Sequence, residues 1–453
     1  SRRFGPRVAS RISGRCCCAA PSLVMRSALL AAWLAHCGHG RHGQDAVQVE
    51  GGGAEQATPE RQLNQRGCEG CSHVYLMRHC VRGTGEPEPE YQAYSSLPVP
   101  DWDSPDEWCT GGGFAITSNV VGQFLRDRYG LRPGRVSATN DGVMRKVQTA
   151  QAVMAGIYSG RPQAWRMETD EVIFANASAR GCPVPDEAVQ MDEARRLLET
   201  TPMPGGLGPP PEVDPARWGA MLESFKRVIG VGNKTIMELM PPSYTRDVSW
   251  SAEEGQPRVR GSASALKYFA QQLFYAKASG VDPDGRSITF GGQELNVSIE
   301  ELFPLYSWEA YFHQVETGPS LKAANGVGIA RALLHQLSKG TPPGYAHIFS
   351  MSDTNFDPLR VLFNLTWTPL HYAGSVGPTP PNVGLMFTKR PTGEVNIDAV
   401  TVNFDGTLSP SVSSVPASPA STSLADLEHR MAVALRDYPA ARACAQRQDA
   451  LLV

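Results

Sequence analysis

The run Val74-Tyr75-Leu76-Met77 ends abruptly in Arg78-His79-Cys80-Val81-Arg82, and this junction constrains the fold more than any other stretch of the chain. Four apolar residues of this kind have the length and composition of a buried strand. The charged groups arrive together where that strand would end. In open α/β sheets, ligands bind beyond the carboxyl ends of strands. Two guanidiniums beside an imidazole suit a phosphate. The arginines Arg78 and Arg82 offer fixed, forked donors to its oxygens. The imidazole of His79 can attack phosphorus and carry it as a covalent intermediate. The bland alternative is a basic strand end that happens to contain a histidine.

The 453 residues exceed one average domain, so one large domain or two closely joined ones are expected. A hydrophobic content of 41% with 19% charged residues suffices for a real core. The net charge of −3 gives no electrostatic footprint for nucleic acid. No apolar run reaches the roughly 18 residues needed to span a membrane. Residues 1–24, with Arg, small residues and Cys16-Cys17-Cys18, have no use in a fold. From Met25, Arg26 and the apolar run Ala28 to Ala35 have the layout of a signal peptide, assigned to residues 25–50. A bipartite presequence with an internal Met25 is the other reading. Residues 51–70 read as a linker rich in Gly, Gln and Glu. Cys68, Cys71, Cys80, Cys109, Cys182 and Cys444 could form three bridges in an oxidising compartment, with the connectivity open. The positions of Cys182 and Cys444 in the two halves suggest one pairing. Cys68 and Cys71 lack a second pair, so no zinc site is expected. Sequons at Asn176, Asn233, Asn296 and Asn364 fit a secreted or secretory-lumen protein.

Residues 71–160 read as the first part of an α/β core. Residues 83–112 form a long loop beside the candidate site, in which the acidic run Glu86 to Glu90 reads as solvated. Phe114 to Tyr129 has helical periodicity, Val136-Ser-Ala reads as a strand, and Val143 to Tyr158 reads as a helix. Arg145 falls in the first turn of that helix. A cation there opposes the helix dipole unless an anion is bound, so Arg145 is either a third phosphate ligand or a solvated arginine. Residues 161–300 change texture. Pro and Gly cluster at 202–215, Trp218 to Ile229 and Ala263 to Ala278 look helical, and few runs look like strands. This part reads as a mainly helical cap inserted over the site.

Residues 301–453 complete the core. Helices are expected over Glu300 to Gly318 and Ser320 to Leu337, then a strand over Tyr345 to Ser350 ending in Ser352-Asp353-Thr354-Asn355. Asp353 is the natural general acid for a leaving group at this second strand end. Asp353 to Asn355 can equally cap the following helix, and both roles are compatible. Val383 to Thr388 and Val400 to Phe404 read as two paired strands at one edge of the sheet. Residues 408–423 read as a flexible Ser/Pro/Ala loop, and Leu424 to Arg436 as a final helix.

These residues resemble the histidine acid phosphatases, the branch of the phosphoglycerate-mutase-like superfamily that includes phytases and glucose-1-phosphatases. The first family motif, Arg-His-Gly-x-Arg-x-Pro, stands here as Arg78-His79-Cys80-Val81-Arg82-Gly83-Thr84. The second, His-Asp, often followed by Thr-Asn, stands as Ser352-Asp353-Thr354-Asn355. Arg145 in Arg145-Lys-Val-Gln-Thr-Ala fits the family's helix arginine, and Thr379-Pro380-Pro381 looks like its usual strand entry. The resemblance implies a three-layer αβα core with a mostly parallel sheet and a mainly helical cap. It implies His79 as the nucleophile, and Arg78, Arg82 and Arg145 as phosphoryl ligands. Asp353 would be the proton donor. It implies a small phosphomonoester substrate, inositol phosphates among the candidates, an acidic optimum and no cofactor; oligomeric state is left open. Three departures stand out. Ser352 replaces a phosphate-binding histidine and can offer only one neutral donor. Cys80 replaces a glycine beside the nucleophile, and Thr84 replaces a proline. The competing reading is a catalytically weak relative that binds phosphate ligands.

Overall fold

Alternate side chains of the first strand feed two separate cores. In the computed structural model, β1 (Ser72–Arg78) is buried along its whole length. Tyr75 and Met77 join one hydrophobic cluster, while Val74 and Leu76 join another on the opposite face. The period of two along a strand dictates this division. The structure describes residues 68, 70–84, 99–159, 166–200, 247–260, 262–282, 284–295, 298, 302, 306, 313–339, 342, 344–367, 382–404 and 406–451. The N-terminal segments, the linker up to residue 67, the Pro/Gly cluster, the helix expected from Trp218 and the Thr379-Pro380-Pro381 entry lie outside the described residues.

After β1 come α1 (Gly111–Ile116), a π-helical stretch Thr117–Gly122, α2 (Gln123–Tyr129), β2 (Val136–Asn140), α3 (Met144–Ile157), β3 (Arg166–Thr169), α4 (Glu171–Phe174) and α5 (Glu187–Thr200). The hairpin of β4 (Asp247–Ser251) and β5 (Gln256–Arg260) precedes α6 (Ser262–Ala278), and the short pair β6 (Thr289–Phe290) and β7 (Gln293–Glu294) follows it. The chain continues through α7 (Pro319–Ser338), β8 (Ala346–Met351), α8 (Asp353–Phe356), α9 (Pro358–Phe363), β9 (Gly384–Lys389), β10 (Glu394–Asn403), β11 (Ser411–Ser423), α10 (Leu424–Asp437) and α11 (Pro439–Leu451).

The main sheet has the order β11-β10-β9-β1-β8-β2-β3. Strands β1, β8, β2 and β3 are mutually parallel, and β9, β10 and β11 continue the sheet antiparallel. One face is covered by residues of α2, α3 and α6, the other by residues of α7, α9, α10 and α11. The expected three-layer α/β architecture with a helical region is therefore the observed one. Close contact of the helices on the first face needs glycine: a Cβ on Gly156 of α3 would strike the Ser118 carbonyl. No helix among the described residues is long and apolar enough to cross a membrane.

Three readings of the sequence change. Residues 408–423 are no loop throughout: Ser411–Ser423 is a strand, paired with β10 across a register shift. It is the edge strand of the sheet, where prolines such as Pro416 and Pro419 are tolerated because one row of backbone groups needs no partner. The β9–β10 pair therefore lies inside the sheet rather than at its edge. The stretch from 161 also begins in the core, because β3 extends the main sheet beside β2. Three disulfides join Cys68 to Cys71, Cys80 to Cys109 and Cys182 to Cys444.

Candidate active site

The register of β1 and β8 brings the two motifs together. Arg78 lies opposite Met351, and the His79 amide donates to the Met351 carbonyl at 2.8 Å. The residues after both strands therefore emerge side by side at the carboxyl end of the sheet, where open α/β folds hold ligands.

Arg78 and His79 are both 2% exposed. Buried guanidiniums require partners. Arg78 Nη1 donates to the Tyr306 hydroxyl and Nη2 to the Tyr275 hydroxyl, each at 2.8 Å, and Nη2 also lies 2.7 Å from Asp353 Oδ2. Tyr275 comes from α6, so a helix of the expected cap region reaches the site. His79 Nδ1 lies 2.7 Å from the Cys80 carbonyl oxygen. A carbonyl only accepts, so Nδ1 carries the proton and Nε2 carries the lone pair of the neutral ring. Burial first, then the charges of Arg78, Arg145 and Arg82, hold the His79 pKa well below the usual imidazole value.

Arg82 and Arg145 meet through a residue that the sequence did not flag. Glu107 Oε1 lies 2.6 Å from Arg82 Nη1, and Oε2 is paired with Arg145 Nη1. Arg145 stands in the first turn of α3, whose N-cap Val143 supplies no side-chain acceptor. Arg145 is thus neither solvated nor alone at that helix start, because the Glu107 carboxylate pairs with it. Burial and then the charge of Arg82 lower the Arg145 pKa to about 10. Arg82 Nε and Arg145 Nε are buried donors with no partner among the described residues. Buried donors of this kind are uncommon in folded proteins and call for an explanation.

Two of the three departures acquire structural partners. Cys80 is bridged to Cys109, and its amide donates to Thr149 Oγ1 at 2.8 Å. Thr84 is buried and its hydroxyl bonds Gln272 of α6. Ser352 is different. It is the N-cap of α8, and its hydroxyl donates to Asn355 Oδ1 at 3.0 Å and lies 2.8 Å from the Thr354 hydroxyl. Among the described residues, no hydrogen bond joins Ser352 to the site arginines.

Asp353 accepts from the Thr354 amide at 2.8 Å through Oδ1 and pairs with Arg78 through Oδ2. Burial opposes its charge, but Arg78 above all, followed by His313 and His79, holds its pKa below the usual carboxylate range. His313 itself is pushed down to about 4, mainly by burial. It lies 3.5 Å from Asp357, one helical turn beyond Asp353, and burial raises Asp357 to about 6. The expected residues His79, Arg78, Arg82, Arg145 and Asp353 thus lie close enough together to shift one another's protonation. Among the described residues, no group of three or more His, Cys, Asp or Glu converges as metal ligands would.

No family model and no curated protein sequence matches the chain. Solved structures do. A Hafnia alvei phytase in its apo form superposes with a TM-score of 0.63 at 14% identity, covering 83% of this chain and 98% of that one. The fold is that of the phytases. A Citrobacter braakii phytase gives a TM-score of 0.58 at 16% identity, with coverage of 81% and 97%. A Klebsiella phytase gives 0.58 at 15%, with coverage of 81% and 96%. The phytase fold agrees with the histidine acid phosphatase resemblance of the two motifs. Glu107, Tyr275, Tyr306 and His313 were beyond sequence reasoning. Only for Glu107 did a signal exist: it stands two residues before Cys109, one of the five cysteines available to bridge Cys80.

Proposed function

We propose that the chain is a histidine-type phosphomonoesterase working without a metal, with His79 as nucleophile. The supporting observation is the His79 ring: its Nδ1 is committed to the Cys80 carbonyl, and Nε2 is left with a lone pair among three arginines. A phosphomonoester enters with its oxygens on Arg78, Arg82 and Arg145. The unpartnered Nε donors of Arg82 and Arg145 are suited to receive them. Nε2 attacks phosphorus, the P–O bond to the alcohol breaks, and Asp353 gives the departing oxygen its proton. The phosphohistidine then reacts with water. Asp353 takes a proton from that water, orthophosphate forms, and neutral His79 is restored. The arginines neutralise the charge that develops on the phosphoryl oxygens.

Asp353 starts as a carboxylate held by Arg78. A bound phosphoryl group competes for Arg78 and adds negative charge beside Asp353. Both effects raise its pKa toward the protonated form that an acid needs. Mildly acidic solution supplies that proton, so the optimum lies on the acid side. Ser352 supplies at most one neutral donor, and we assign it the smallest share of phosphate binding. Inositol phosphates are candidate substrates, and the three disulfides support a secreted or lumenal location, where the sequons would be candidate glycan sites. A second reading, a phosphate-binding relative with little turnover, is favoured by the Ser352 hydroxyl being spent on its own turn. Hydrolysis of a chromogenic phosphomonoester at acid pH with chelator present separates the two. Wild type is expected to exceed His79→Ala by at least about 10⁴-fold. Equal residual rates would remove the enzyme reading.

A further inference from the structure

Glu107 takes no part in the chemistry above, yet it holds two of the three site arginines. We propose that its carboxylate is a built-in stand-in for the phosphoryl group, occupying the Arg82–Arg145 anion site until substrate displaces it. This rests on the phosphatase reading. The two carboxylate oxygens are divided between the two guanidiniums, Oε1 on Arg82 at 2.6 Å and Oε2 on Arg145. A phosphoryl group seated on these guanidiniums would need the same Nη donors as well as the free Nε donors.

The backbone shows that this placement is enforced. Glu107 has φ 63°, a left-handed conformation that residues with a side chain seldom adopt. Such a conformation persists where the surroundings over-determine it. Here they do. Trp108 O accepts from the Gly83 amide at 3.0 Å, and the Thr110 amide donates to Val81 O at 3.0 Å. Between them, Cys109 pairs with Arg82 as a β-bridge and is joined by disulfide to Cys80, the neighbour of the nucleophile. The segment bearing Glu107 is stitched to the first motif residue by residue.

The stand-in is also built to leave. The Glu107 side chain is 42% exposed, against 15% for Arg82 and 18% for Arg145, so it enters from the solvent side. It satisfies Nη atoms only. The buried Nε donors of both arginines stay unmet, and a tetrahedral group with three oxygens can reach more of these donors than a planar carboxylate can. Glu107 is therefore a positioning residue. It keeps two like charges side by side in the resting site, and every phosphate ligand must compete with it.

The test is orthophosphate binding by titration calorimetry in the His79→Ala background, together with KM and kcat in the active enzyme. Glu107→Gln keeps the shape and removes the charge. Orthophosphate is expected to bind about tenfold tighter, the size of one charge-assisted hydrogen bond. KM should fall by a similar factor while kcat changes little, and Glu107→Asp, which keeps the charge, should not share the gain. Unchanged or weaker orthophosphate binding in Glu107→Gln, with clear binding to the Glu107 parent, overturns the stand-in and leaves the phosphatase reading intact. Absence of orthophosphate binding in every variant overturns both.

Discussion

The ends of β1 and β8 lie side by side in register, yet they are wired differently. At the end of β1, bonds reach across the molecule: Arg78 to Tyr275, Tyr306 and Asp353, Cys80 to Cys109, and Arg82 to Glu107. At the end of β8, most bonds stay inside one turn: Ser352 to Thr354 and Asn355, and Asp353 to the Thr354 amide. The first end, with Arg145 from α3, concentrates positive charge around His79. The second starts a helix and contributes one carboxylate. The single O–H donor of Ser352 is already given to Asn355 Oδ1, which leaves it none for a ligand. On the proposed reading, anion binding therefore falls almost wholly to the β1 side.

Arg145→Ala is the strongest challenge to this asymmetry. Loss of one fixed charge from the phosphoryl site should lower kcat/KM by about 10²–10³, as for other transition-state donors. Ser352→Ala should lower it by less than about tenfold, since one neutral hydrogen bond is at stake. Comparable losses in a steady-state assay of both variants would break the comparison.

The opposite ends of the two strands behave alike. His73 in β1 and His347 in β8 are buried, and burial lowers both to about 4. The unfolded chain takes up their protons near the ordinary value of about 6.5, while the folded chain does not. Their contribution to stability is complete above that value and is lost as the pH falls toward 4. The expected slope is at most about 1.4 kcal/mol per pH unit for each histidine. Denaturant melts between those pH values, with His73→Gln and His347→Gln as controls, should show a shallower slope in each variant. An unchanged slope would mean that these rings are protonated in the fold.

Ser352→His should sharpen the comparison from the other side. A histidine at the α8 start restores a chargeable donor beside Asp353, and a rate increase of about tenfold is expected. The turn loses its capping hydroxyl at a cost of about 1 kcal/mol, readable as a lower melting midpoint. No rate gain in a variant that still folds would show that the β8 end no longer faces the phosphoryl group.

Much of this was legible in the chain because local chemistry announced it. The apolar run ending in Arg78-His79, the uncompensated cation Arg145 and the polar cluster after the second strand all mark strand or helix ends, and such ends are where this fold places ligands. The partners were not legible. Tyr275 and Tyr306 sit in stretches whose spacing reports helices, not which ring meets Arg78. Glu107 belongs to a loop in which the acidic run at 86–90 drew attention and a single glutamate did not, and the Cys80–Cys109 disulfide with the backbone bonds beside it carries it to the site. The edge strand β11 was missed for a related reason: its Ser and Pro content is poor in strand formers, and pairing with β10 supplies what local preference does not.

The central claim is a phosphohistidine on His79, and trapping it is the most direct measurement. Wild type and Asp353→Asn are mixed with a phosphorus-labelled phosphomonoester, quenched in alkali, digested and mapped by mass spectrometry. Label is expected on the peptide holding His79, stable in alkali, lost in acid and more abundant in Asp353→Asn with an activated leaving group. Hydrolysis without any labelled intermediate, or label on a serine or threonine, would contradict it.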